Sequence, residues 1–445
     1  MGTQPPGEAA LRCLVSFIGL RDKPSQPWTE RAIRTVLALG LLGTALIISN
    51  GIDHFRLPKE LVFRGEAILL LMLAAFWWTS SRRSWSISMR PEFVAAFLAI
   101  GWAAVTTILS TNRLLSTDSL ITVVAAAIIF IATCVALQSG SMFLVDVLMF
   151  AACCNATLTI LQELKIWTPY TGARDVSTHM GSVGFLGNPN DVGMYLCGAT
   201  LLAVAVAVHM RKRRRWIYAA IVMLLMAGII ASGTKTVVAA LGAALIVFGL
   251  AHSRRAAIGV AVLLVAIAIA IAVPSTPLGS GVRTVAHAVA ERDYAQLSSE
   301  RLIPFLTAVE MVRSHPLTGV GPGCFKYLFM SYRLSLEEKY PPAWTKGYPM
   351  NWAEVHNDHL QIAAETGVPG YLLFLGAIGL IGGAPRREKS SAPLAVLARS
   401  MRWPFAVLVF VLCIAQFPLE LAAARLMLLT LSAVCLTWSG RDDDR

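Results

Sequence analysis

Charge is scarce in this sequence. Asp, Glu, Lys and Arg make up 14% of its 445 residues, against about 25% in soluble domains, too few to clothe a globular protein of this length in water. Metal-ligating patterns are missing as well. No loop read below as outer carries a D-x-D pair, and there is no H-E-x-x-H and no Cys/His cluster at metal-ligand spacing. The G-x-x-x-x-G-K-[ST] loop that cradles nucleotide phosphates is absent too. The eight cysteines include no C-x-x-C pair, and all but Cys13 and Cys324 fall in apolar runs. They read as small core residues and not as a disulfide framework. The first thirty residues are mixed and charged, without the short apolar core and small-residue cleavage site of a signal peptide.

What the sequence has instead is hydrophobic length. Apolar residues make up 56% of the chain, in recurring runs of about 17 to 22, the length a helix needs to cross a bilayer. The runs are continuous and not alternating, which excludes a β-barrel. The fold class is therefore an all-α polytopic membrane protein with about twelve transmembrane helices. The predicted spans are 34–50, 60–78, 93–110, 119–138, 143–162, 192–209, 216–232, 235–251, 256–273, 359–382, 403–419 and 421–438. Residues 1–33 form an N-terminal segment, 34–273 carry spans one to nine, 274–355 form one large loop, 356–438 carry spans ten to twelve, and 439–445 are a tail.

The formal charge of +12 raises the question of nucleic acid, but its distribution answers it. Lys and Arg gather in alternate loops, at Arg82, Arg83 and Arg90, at the RKRRR run 211–215, at Arg254 and Arg255, and between Arg386 and Arg402. This is the positive-inside pattern. It puts both termini in the cytoplasm and the 274–355 loop outside, and it makes RKRRR a topology anchor, with no nucleic-acid partner expected. Within the large loop Leu302, Phe305, Leu306, Val309 and Val312 recur at helical spacing. Ser298 or Ser299 can cap this helix, Pro304 sits near its start, His315-Pro316 ends it, and Gly319, Gly321 and Gly323 form a tight turn. With little other apolar material in the loop, the helix is expected to lie across the membrane mouth, apolar side down.

Chemistry is sought among the outer-face polar groups, since polar residues at a span end cost little and those held deep are functional. His356 precedes the tenth span, where the helix N-terminus favours a neutral imidazole that is basic near pH 7. It reads either as a general base for a hydroxyl or as a boundary histidine, with Asn357 and Asp358 as capping groups. Lys235, in SGTKT before the eighth span, reads as a phosphate-binding cation or as a lysine snorkelling to headgroups. Arg301 opens the loop helix and can aim a guanidinium into the mouth. Gly367, Pro369 and Gly370 break the tenth span, either for close packing or by freeing a backbone carbonyl.

Four stretches together resemble the O-antigen ligase and polymerase superfamily of bacterial envelope glycosyltransferases: HNDHLQIAAETGVPG, LGNPNDVGMYL, SGTKTVVAALGAAL and RLIPFLTAVEMVRSHPLTGVGPGCF. The third departs from the family's usual S-x-S-R by placing Lys235 where Arg is common. The resemblance implies a GT-C-type fold in the bacterial inner membrane, with a periplasmic site and metal- and cofactor-independent transfer from undecaprenyl pyrophosphate. It implies His356 as the catalytic residue and Arg301, Lys235 and Lys59 as pyrophosphate binders, with Asn188, Asp191, Arg174 and His359 in support. Displacement at the anomeric carbon would invert configuration, with the polyprenyl chain along a groove near the eighth and tenth spans and the loop helix closed over the mouth. As a ligase the protein would pass a glycan to a lipid A-core hydroxyl. The alternatives are an O-antigen or exopolysaccharide repeat-unit polymerase, acting on a growing glycan, protein O-glycosylation, and, from other classes, a transporter of lipid-linked glycan or an envelope scaffold. A transporter would line a cavity near the bilayer midplane with substrate charge, whereas these cations gather at the outer boundary.

Overall fold

A computed structural model describes residues 27–49, 53–80, 91–169, 182–210, 212–252, 254–291, 298, 301–340, 351–383 and 392–436. These residues contain fifteen α-helices, one 3-10 turn and no strand. In chain order the helices are α1 (Pro27–Leu46), α2 (Arg56–Ser80), α3 (Pro91–Ile108), α4 (Arg113–Leu137), α5 (Phe143–Glu163), α6 (Pro189–His209), α7 (Lys212–Ser232), α8 (Lys235–Ala251) and α9 (Arg254–Ala272). The large loop holds α10 (Pro277–Glu291), α11 (Leu302–Ser314) and α12 (Phe325–Lys339), followed by α13 (Asp358–Gly383), α14 (Pro393–Ala415) and α15 (Ala422–Leu436).

A helix stands at each of the twelve predicted spans. Six of them (α4, α5, α6, α7, α13 and α14) are long and apolar enough to cross a membrane, α9 and α10 form a pair bent by 67°, and α3, α8 and α15 are apolar but shorter. At the eleventh predicted span, α14 starts ten residues earlier than predicted and stops at Ala415, because Gln416 is extended and Pro418–Glu420 form a 3-10 turn. Large apolar side chains such as Leu61, Met72, Leu114, Leu250 and Val262 are exposed on the outer helix faces, as lipid contact requires and water does not tolerate over so wide an area.

The bundle is built around α6. Its sequence is apolar on every side and small at Gly193, Gly198, Ala199 and Ala203, and its residues from Asp191 to Val206 are all buried. Such a helix belongs at the centre, and its small residues let α8 and α15 approach closely: Thr234 and Val237 pack on Gly193, and Met427 on Gly198.

The large loop differs from expectation. The buried face of α11 is Ile303, Pro304, Thr307, Ala308 and Met311, while the predicted stripe Leu302, Phe305, Leu306, Val309 and Val312 is half-buried. The loop has a small core of its own, in which Ile303, Ala308 and Met311 meet Val320, Phe325, Phe329, Val355 and Ala364. The aromatic stretch after the glycines supplied the apolar partner that the loop was thought to lack. Pro304 falls in the first turn, where no N–H is missed, and the Ser298 hydroxyl accepts from the Leu302 N–H at 3.2 Å.

Candidate active site

The break in α13 organises everything near it. Gly367 is left-handed (φ 72°), and Pro369 has no N–H, so the carbonyls of the preceding turn lose their helical donors. Each finds another. The Ala364 carbonyl accepts from Val320 N at 2.9 Å and that of Glu365 from Gly321 N at 3.0 Å, while Thr366 O accepts from the Trp102 indole at 2.8 Å. The Glu365 carboxyl group accepts from Gly323 N (2.8 Å) and Phe325 N (3.2 Å), capping α12 from another helix. Gly319 approaches so closely that a Cβ there would lie 2.3 Å from the Glu365 carbonyl carbon. The HPLTGVGPGCF and ETGVPG stretches are thus two halves of one joint, which ties the loop to the tenth span.

This joint holds the start of α13 in place. Asn357 is the cap, its side-chain oxygen accepting from Leu360 N at 2.9 Å. Asp358 has a different task from capping: its carboxyl accepts from Leu419 N at 3.1 Å, and its own N–H donates to Gln416 O at 3.3 Å. His356 lies two residues before the helix, in left-handed backbone (φ 60°) that a non-glycine residue adopts only under constraint. Its ring packs edge-on against Phe417 (4.4 Å between centroids) and Trp352 (5.2 Å), and its Nδ1 is buried without a hydrogen-bond partner.

The segment after α14 is the hub. Arg301 donates to Ala415 O at 2.7 Å. Gln416 donates to Thr236, beside Lys235, at 2.5 Å. Phe417 touches both His356 and the Arg56 guanidinium, 5.6 Å from its centroid. Three distant parts of the sequence, at Lys235, Arg301 and His356, therefore meet on one turn. The charge of Arg301 acts on both Lys235 and His356. Among the described residues no carboxylate pairs with Arg301, which is largely buried, and the Lys235 ammonium reaches only the Gly281 carbonyl, at 3.4 Å.

Burial, then Arg301 and Arg56, push the His356 imidazole down to about 3. The ring is neutral, as expected, but it is not basic near pH 7, and its neutrality comes from burial and cations more than from a helix terminus. The unfolded ring binds a proton near pH 6.5 and the folded ring does not until about 3. Stability from this group is therefore full above pH 6.5 and is lost as pH falls toward 3. Thermal unfolding of the protein in lipid nanodiscs, followed between pH 7 and 4, is expected to show a smaller acid loss in His356→Asn than in the wild type; equal losses would contradict the assignment.

The supporting residues divide. Lys59 is buried and bonds the Ile47 carbonyl, and the charges that act on it are those of Asp191 and Asp53, so it stands apart from Arg301 and Lys235 in an acid-rich setting. Asp191 feels the charges of Arg56, Glu354 and Lys59. Asn188 caps α6 through Asn190 N at 2.8 Å. His359 turns away, bonding Phe410 O at 2.9 Å within a cage that includes Tyr371 and Phe374 at 5.8 and 5.5 Å. A straight helix would put Tyr371 about 18 Å along the axis from it, so the break folds the two halves of α13 together. Arg174 lies outside the described residues. Sequence reasoning missed Arg56, Glu365 and Gln416. The spacing of Arg56 three residues before Lys59 was the available signal for the first, and the other two carried none.

A cavity of about 670 Å³ adjoins this cluster, lined by α2, α3, α4, α13 and α15. It involves the tenth predicted span but not the eighth. Arg56 belongs both to its mouth, paired with Glu354 at 2.6 Å, and to the surroundings of His356.

Residues 219–375 match the family model described as O-antigen ligase. The match supports the likeness to the O-antigen ligase and polymerase superfamily. The matched stretch includes Lys235, Arg301 and His356, the residues that the hub brings together, and ends before the hub itself. Members of the superfamily are glycosyltransferase-like ligases and polymerases, so an enzyme of the membrane is the family-level assignment. No curated protein matches the chain.

Proposed function

We propose that the protein is an O-antigen ligase, with a GT-C-type arrangement of twelve spans, both termini cytoplasmic and the His356 end of the bundle in the periplasm. It moves a glycan from undecaprenyl pyrophosphate to a lipid A-core hydroxyl. The observation that carries the reading is Arg301, a half-buried cation with no acid partner among the described residues, acting on both His356 and Lys235. An uncompensated buried charge is unfavourable alone and is offset by an anionic ligand, for which a diphosphate supplies the charge.

The acceptor oxygen forms a bond to the anomeric carbon while the bond to the diphosphate oxygen breaks. The acceptor proton passes to His356, and the diphosphate leaves with the electron pair. Arg301 and Lys235 stabilise the charge growing on that leaving group, more in the transition state than before it. Burial, with the charges of Arg301 and Arg56, keeps the imidazole a weak base; a diphosphate resting on Arg301 cancels part of this field and raises the ring's proton affinity when the donor is in place. The site therefore needs no metal to balance the leaving group.

Purified protein is given a lipid-linked glycan with either lipid A-core or a second lipid-linked glycan as acceptor, with and without EDTA. Transfer to lipid A-core that is indifferent to EDTA is expected; transfer only to the second glycan would make the protein a polymerase, and no new glycosidic bond with either would reject the reading. Arg301→Ala is expected to lower donor use by about a hundredfold, the scale of losing one oxyanion-stabilising group. Lys235→Arg should keep most activity and Lys235→Ala should not.

A further inference from the structure

The segment after α14 holds the two cations of the donor site by different means. Arg301 donates to the main-chain carbonyl of Ala415 at 2.7 Å, a tie that any residue at that position supplies. The first turn of α8, which carries Lys235, is tied by a side chain: the Gln416 amide nitrogen donates to the Thr236 hydroxyl at 2.5 Å. Gln416 itself is fixed in place. It is extended (φ −142°, ψ 175°) and 1% exposed, and its own carbonyl accepts from Asp358 N at 3.3 Å, next to His356 in the site. Yet the amide is only half used. Its Oε1 is buried without a hydrogen-bond partner among the described residues, and a buried acceptor left unpaired is destabilising. An apolar side chain of similar length avoids that penalty, so stability alone does not account for glutamine at this position.

Charge does account for it. Lys235 opens α8 at the positive end of the helix dipole and feels the charge of Arg301, so the two cations repel each other until an anion offsets them. α8 packs along α14, and Thr234 donates to Pro189 O at 3.1 Å; the helix as a whole is therefore held without Gln416. What the amide adds is a fixed place for the first turn. We propose that Gln416 is a positioning residue of the donor site, its side chain setting the Lys235 turn at one spacing from Arg301. The inference rests on the transferase reading, which puts a diphosphate on these two cations. A cation already in place loses less freedom when the anion arrives, so the tie is felt in donor affinity.

Binding of farnesyl diphosphate to the full chain in lipid nanodiscs, measured beside thermal unfolding, tests this without turnover. Gln416→Met keeps the length of the side chain and removes both of its hydrogen-bonding groups. Thr236→Val keeps the shape of the partner and removes its hydroxyl. Gln416→Met is expected to weaken farnesyl diphosphate about fivefold, the scale of one hydrogen bond, with an unfolding temperature equal to or above that of the wild type. Thr236→Val should weaken it to a similar degree, and the double variant no further than either alone. In a Lys235→Ala background, Gln416→Met should change binding by less than about twofold. Wild-type affinity in Gln416→Met, additive losses in the double variant, or an undiminished loss in the Lys235→Ala background overturns the proposal, as does a fall in unfolding temperature accompanying the loss in Gln416→Met. Failure of the transferase reading looks different: Lys235→Ala and Arg301→Ala would then each bind farnesyl diphosphate as the wild type does.

Discussion

His356→Ala is expected to lower glycan transfer by about a hundredfold to ten-thousandfold, the range in which a positioned general base contributes, while the variant reaches the membrane at normal levels and binds donor as before. The ring makes no hydrogen bond through Nδ1, so its removal breaks no polar contact at that atom and leaves a cavity between Trp352 and Phe417. A loss in kcat with little change in donor affinity is the pattern of a group that acts on the reacting proton. The pH dependence sharpens the expectation. The acid limb of kcat/KM reports the free enzyme, whose imidazole is held near 3 by burial, Arg301 and Arg56; the limb of kcat reports the donor complex. Because a diphosphate offsets the charge of Arg301, the kcat limb is expected at higher pH than the kcat/KM limb. Wild-type rates in His356→Ala would end the base assignment, and coincident limbs would remove the coupling to donor charge.

The sequence disclosed the helices and three residues that the fold brings to one place, and the reasons it stopped short are local. Span positions were legible because hydrophobic length does not depend on partners. Lys235, Arg301 and His356 were legible because a charged or titratable group at a span end stands out against 56% apolar composition. Their meeting point was not, since Ala415, Gln416 and Phe417 act through a carbonyl, an amide and a ring in an ordinary-looking segment. The face of α11 was misplaced because the loop was read as holding little other apolar material, whereas Phe325 and Phe329 form the core that the helix packs on. Lys59 looked like Lys235 in sequence, both being lysines near a helix start, and only its neighbours Asp191 and Asp53 tell the two apart. Glu365 carried no signal of its role in the sequence. Its function is visible only with the glycine turn of the loop beside it.

Glu365→Ala is accordingly expected to release the large loop before the membrane helices unfold. The carboxyl group accepts two backbone N–H groups, Gly323 at 2.8 Å and Phe325 at 3.2 Å, in a place closed to water. Alanine leaves both donors buried and unpaired, at a cost of about 3 kcal/mol. The backbone half of the joint, from Val320 and Gly321 to the carbonyls of Ala364 and Glu365, remains but is left without its side-chain cap. Proteolysis under native conditions, which reads the opening of a local unit, should cut within 301–340 at least tenfold faster, roughly the equivalent of 1.4 kcal/mol or more, while melting of the spanning helices shifts less. Glu365→Gln keeps one acceptor oxygen but turns an NH2 toward the second N–H, so it should fall between alanine and the wild type. Transfer should decline in the same order, because Arg301 leads directly into α11 and loses its position when the loop lifts. A variant that keeps the wild-type cleavage rate yet loses transfer would assign Glu365 to the chemistry and take it out of the joint.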